Sequence, residues 1–148
     1  MAYASLTVNV GSFNDPLHRQ GLAHLVEHMV FRGSKKYPIS KTYDEHLTKH
    51  GGMCNAYTEP EKTTFYFEVQ YTGLKKALNI MGNQLSEPLF NKDAIDGEVD
   101  AIDEEYKMRL NNDSVCYSQS LCDECNTGNL FNRFRWGSKE SLTKEKPQ

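Results

Sequence analysis

Apolar positions along this 148-residue chain change their period several times, and each change marks an element. Over residues 3–10, Tyr3, Ser5, Thr7 and Asn9 alternate with Ala4, Leu6, Val8 and Val10, which predicts a half-buried strand. Residues 11–20, with Asn14-Asp15-Pro16, read as a turn or loop. Residues 21–31 then take a helical period, with Leu22, Ala23, Leu25, Val26, Met29 and Val30 covering most of the circumference. A helix that is apolar nearly all round is a buried one. Gly33 is its stop signal.

Ser40 is placed to cap a second helix running to about His50, which Gly51-Gly52 ends. Alternation returns in Met53–Thr58 and residues 63–70, two strands joined around Glu59-Pro60-Glu61, the second with Phe65, Phe67 and Val69 on one face. Residues 73–86 are amphipathic, with Leu74, Leu78, Met81 and Leu85 on the apolar side and Pro88 beyond the end. Asn91 or Asp93 caps a long helix over 94–110, and another helix is expected around 118–125 before a turn-rich stretch with Phe134, Trp136 and Gly137. No repeat, low-complexity tract or linker interrupts this order. The pattern predicts one α+β unit, helices packed on one mostly antiparallel sheet.

Composition narrows the function classes. The formal net charge is -3, and no block of basic residues exists to follow a phosphate backbone, so nucleic acid is not an expected partner. No apolar run reaches membrane-spanning length, and the first residues lack the pattern of a signal peptide, so the expectation is no membrane and a cytoplasmic location. The four cysteines are Cys54, Cys116, Cys122 and Cys125. Cys122-x-x-Cys125 is half of a structural zinc pattern without a matching second pair, so free thiols are expected.

The chemistry lies in the buried helix. His24-Leu25-Val26-Glu27-His28 spells H-x-x-E-H. Residues four apart on a helix differ by about 40° around its axis, so both imidazoles share a face, with Glu27 beside them. Two nitrogen ligands and a carboxylate base on one face suit a catalytic zinc. Three ionisable groups forming the one polar stripe of a buried helix must be paired or ligated. His46 and His50 are also four apart, but Lys41, Asp44, Glu45 and Lys49 surround them, so they read as surface histidines.

A zinc on two histidines wants a third protein ligand. The acid-rich helix 94–110 sorts by angle: Asp96, Asp100, Asp103 and Glu104 lie away from the apolar stripe, whereas Glu98 and Glu105, about 20° apart, lie on it. One of the two would bind metal and the other would hold a ligand in place; their periodicity does not say which.

Together these residues resemble the pitrilysin-type zinc peptidases, the inverzincins. The resemblance rests on Gly21-Leu22-Ala23-His24 through Met29, Gly33-Ser34, Lys36-Tyr37-Pro38, Gly51-Gly52, Asn55-Ala56, Thr58 and the E-x6-E frame from Glu98 to Glu105, in one order along nearly the whole chain. Asp93 to Asp96, Glu98-Val99, Tyr106 and Phe134 to Gly137 lean towards the nardilysin branch.

The resemblance implies a zinc metalloendopeptidase. His24, His28 and Glu105 would be ligands of one Zn2+, Glu27 the general base, Glu98 the supporting carboxylate, and Asn55 and Ala56 the edge-strand stretch along which a peptide is laid. It also implies peptide substrates with basic residues. Residues 1–148 would be an incomplete N-terminal domain, with the remaining part of the full-length enzyme as a partner. The alternative is a non-catalytic or incomplete zinc- and peptide-binding fragment. Three departures stand out: Met53-Cys54 before Asn55, the lack of an acidic insertion, and Gly97 where the family commonly has Arg, which removes a possible ion-pair partner of Glu98.

Overall fold

The structure is a computed structural model and describes residues 1–143. Three strands, β1 (Ala2–Val8), β2 (Met53–Thr58) and β3 (Thr63–Val69), form one sheet in the order β1-β3-β2, with both pairings antiparallel. Six α-helices accompany them among the described residues: α1 (Leu22–Val30), α2 (Thr42–Lys49), α3 (Leu74–Ser86), α4 (Lys92–Arg109), α5 (Asp113–Asp123) and α6 (Lys139–Thr143). The α+β expectation therefore holds. No helix among the described residues is long and apolar enough to cross a membrane.

The central strand β3 carries the core because it has neighbours on both sides. Phe65, Phe67 and Val69 project from one face and pack with Val30, Tyr43, Leu47, Ala77, Ile80 and Met81, drawn from α1, α2 and α3. A second cluster joins Leu25 and Met29 of α1 to Val99 and Ile102 of α4 and Leu142 of α6. Helix α1 thus joins two cores, giving Val30 to the first and Leu25 and Met29 to the second. Its polar stripe is thereby held where α4 and the sheet meet.

Three readings from periodicity are corrected. The first strand ends at Val8 rather than Val10, and Leu6, Val8 and Val10 are exposed, because β1 is an edge strand that the helices cover only at its Ala4 end. On α3, Leu78 faces solvent and the polar Gln84 takes a buried place, so the buried face is rotated from the expected one. The helix expected around 118–125 begins instead at Asp113, capped by the Asn112 side chain, which accepts from the backbone N–H of Ser114 and Val115. Helix α5 buries no residue, so it has no apolar stripe to announce its start. For α4, the structure chooses Asn91 as the cap, its side chain accepting from the Asp93 N–H.

His46 is also buried, not at the surface as expected. Its Nε2 donates to the Gly73 carbonyl at 2.9 Å, and His50 donates through Nδ1 to the His46 carbonyl at 2.8 Å. The first bond ties α2 to the residue that precedes α3, and the second closes the end of α2.

All four cysteines are free thiols, as expected. Cys54, on β2, donates to Asp44 Oδ1 at 3.6 Å. Burial, reinforced by the Asp44 charge, pushes its thiol up to about 12. Only the thiolate is nucleophilic, so at pH 8 roughly one Cys54 in 10⁴ is reactive. Alkylation of Cys54 by iodoacetamide, followed by peptide mass analysis, is expected to be very slow at pH 8. It should rise about tenfold per pH unit until the thiol titrates. Asp44→Asn should speed it by removing the charge that opposes ionisation. A Cys54 alkylated at pH 8 as fast as a small-molecule thiol would contradict this.

Candidate metal centre

The site begins with the way α1 starts. The first N–H groups of a helix have no partner within it. Here the buried Asp15 supplies one, its Oδ2 accepting from Gly21 N at 2.7 Å and its Oδ1 from Ala23 N at 2.8 Å. Burial pushes the Asp15 carboxyl above the usual carboxylate range, and these backbone donors pull against that. Arg133 donates to the carbonyls of Phe13 and Asp15, which brings the segment 133–137 against the same end. There Gly21, at φ 92°, meets Gly137, at φ 81°.

That contact puts the Trp136 carbonyl over His24. His24 Nδ1 lies 2.7 Å from this oxygen, and a carbonyl can only accept, so Nδ1 carries the proton. One turn on, His28 Nδ1 lies 2.8 Å from Glu98 Oε2 of α4 and donates to it in the same way. Both Nδ1 atoms are therefore spent on orientation, and both Nε2 atoms are left as acceptors in the neutral rings. They face each other at 3.2 Å. Glu105 Oε2 stands 3.8 Å from the first and 3.7 Å from the second.

Three potential ligand atoms converge, all within 4.8 Å of one another. Such a cluster asks for a cation. Two donors at the usual bond lengths of a tetrahedral zinc stand roughly 3.3 Å apart, close to the separations here. The residues present fit a zinc ion. The structure also separates two glutamates that periodicity left equivalent: Glu105 belongs to the cluster, while Glu98 sits behind His28.

Glu27 stands beside the cluster and takes no part in it. It is buried, and Thr58 Oγ1 of β2 donates to its Oε2 at 2.5 Å. Burial pushes the Glu27 carboxyl above the usual range; the Thr58 hydrogen bond and the two histidines act the other way, and Glu105 adds to the rise. Asn55 and Ala56 lie on β2, at the edge of the sheet, and line the same cleft of about 630 Å³ as His24, Glu27 and His28. All residues singled out from sequence are thus brought to one place.

Sequence reasoning missed the groups that aim them. The Asp15 carboxylate and the Arg133 guanidinium bond to backbone groups, and the Trp136 carbonyl is itself backbone, so these contacts have no partner side chain to mark them in the sequence. Thr58 was visible only as part of a motif. Arg32 was legible in principle: it follows His28 by four residues, as His28 follows His24, and it ion-pairs with Glu98 Oε1. Gly97 offers Glu98 no ion-pair partner, as read from sequence, and Arg32, in the turn just after α1, supplies one.

Comparison with known proteins agrees with the geometry. Residues 1–124 match the family described as Insulinase (Peptidase family M16). A nardilysin-like protein of Arabidopsis thaliana is 44% identical over 142 residues, which cover 96% of this chain and 14% of that protein. The A-factor-processing enzyme of Saccharomyces cerevisiae is 43% identical over 141 residues, covering 95% of this chain and 14% of the relative. The crystal structure of pitrilysin superposes with a TM-score of 0.91 at 37% identity, over 95% of this chain and 15% of that one. The chain thus spans about one seventh of the length of the relatives it matches. With the family model matched over most of its length and the cluster built on the matching elements, this chain belongs to the insulinase family of peptidases, family M16.

Proposed function

We propose that this chain is the partial N-terminal zinc-peptidase domain of a metalloendopeptidase, holding one zinc ion on His24, His28 and Glu105. The observation that carries the reading is the pair of Nε2 atoms facing each other at 3.2 Å with the Glu105 carboxylate beside them. Bound there, zinc would polarise a scissile carbonyl and acidify a water.

The chain's own residues supply the rest. Glu27 is the general base. Thr58 holds its Oε2, which leaves the second oxygen to take a proton and return it to the leaving amine. The raised proton affinity that burial gives Glu27 suits that exchange near neutral pH. A peptide adds to the sheet along the free edge of β2, past Asn55 and Ala56, where the Ala56 N–H is met by the Asn55 side chain at 2.8 Å. The exposed Leu6, Val8, Val10 and Phe90 fit contact with further parts of a longer polypeptide, of the size its relatives have.

The test is zinc content and turnover measured together. One zinc per chain is expected by elemental analysis after dialysis. Cleavage of an unstructured peptide should stop with a chelator and return with added zinc. A chain that holds no zinc, or whose cleavage ignores the chelator, would sink the reading.

A further inference from the structure

Glu98 is the most deeply buried carboxylate at the site: its side chain is 5% exposed. It divides its two oxygens, Oε2 accepting from His28 Nδ1 and Oε1 meeting the guanidinium of Arg32. A buried carboxylate needs a counter-charge, and a neutral imidazole offers only a hydrogen bond. Helix α4 supplies no cation at the preceding position, because that residue is Gly97. The charge comes instead from Arg32, in the turn just beyond the end of α1, the helix that carries the histidines. Arg32 follows His28 by four residues in sequence, in the turn that ends α1, so the group that braces Glu98 from behind comes directly after the ligand helix.

We infer that Arg32 is a positioning residue, which fixes Glu98 and through it the ring of His28. The guanidinium is permanently charged and directional, whereas Glu98 alone would be free to turn. Held on one oxygen by Arg32, Glu98 presents the other to Nδ1. Nε2 of His28 is then aimed at the cluster. The side chain of Arg32 is 47% exposed, so its replacement opens no cavity in either core.

The metal arm of the test rests on the zinc reading above; a second arm does not. Zinc affinity is measured by competition with a chromophoric chelator for wild type, Arg32→Leu, Arg32→Lys, Glu98→Gln and the double variant Arg32→Leu/Glu98→Gln. Arg32→Leu should bind zinc about tenfold more weakly, as expected for loss of a group that orients a ligand's partner. Arg32→Lys, which keeps the charge, should recover most of that loss. In the Glu98→Gln background, Arg32→Leu should change little, because the group it acts through is gone. An equal loss in both backgrounds, or no loss in either, would overturn the inference.

The second arm uses metal-free protein. The His28 Nδ1–H proton should be visible by NMR in wild type and Arg32→Lys, protected by Glu98, and lost to solvent exchange in Arg32→Leu. Persistence of that resonance in a folded Arg32→Leu chain would overturn the proposal, whether or not zinc binds. A wild-type chain that shows the resonance but holds no zinc would instead refute the metal reading and leave the Arg32 relay standing.

Discussion

Glu27→Gln is expected to keep its zinc and to lose peptide hydrolysis by about 10³-fold, within the range general-base catalysis supplies. The two side chains have nearly the same shape. Glutamine's carbonyl oxygen still accepts from the Thr58 hydroxyl, so the fold around α1 should hold. What disappears is the ability to take up a proton. Zinc should stay, because the converging donors are His24, His28 and Glu105, and Glu27 lies outside that set. Steady-state turnover and zinc content of both proteins decide the matter. Equal turnover would remove Glu27 from the chemistry, and a variant stripped of metal would make it a ligand rather than a base.

Such a prediction could be framed from the sequence because the parts it uses are side chains at helical spacing. The H-x-x-E-H stripe, the apolar surround of α1 and the two stripe glutamates of α4 all leave a periodic trace. So does the division of β3 into an apolar and a polar face. What left no trace is of two kinds. One is burial that depends on neighbours: Leu6 and Val8 read as inward-facing, yet β1 is an edge strand with cover at one end only. The other is orientation through backbone atoms. The choice between Glu98 and Glu105 is made by which turn of α4 lies opposite His28, a matter of helix crossing rather than of the α4 sequence. The proton on His24 Nδ1 is fixed by a carbonyl 112 residues away, set there by a loop without regular structure. Arg32 falls between the two kinds. Its spacing was readable, but the feature that makes it matter is an absence on another helix, at Gly97.

The loop that fixes His24 leads to the other large expected effect. Gly21→Ala should destabilise the chain by about 2–5 kcal/mol, from left-handed strain of roughly 1–2 kcal/mol plus overpacking. The φ of 92° at Gly21 is one that side-chain-bearing residues avoid, and a Cβ built there would come within 2.2 Å of the Gly137 Cα. Gly137 cannot yield sideways easily, since Ile102 and Leu142 of the second core close around it. The backbone at 136–137 would have to move, carrying the Trp136 carbonyl away from His24 Nδ1. Loss of that acceptor frees the ring to rotate and to change tautomer, so zinc affinity should fall about tenfold as well. The melting temperature should drop by about 10 °C. Gly82→Ala is the control: Gly82 lies in α3 with open space where a Cβ would stand, so neither readout should worsen. A Gly21→Ala chain that melts early yet binds zinc as tightly as wild type would show that His24 is held by its helix alone. One unchanged in both respects would mean that the Gly21–Gly137 contact does not govern the site.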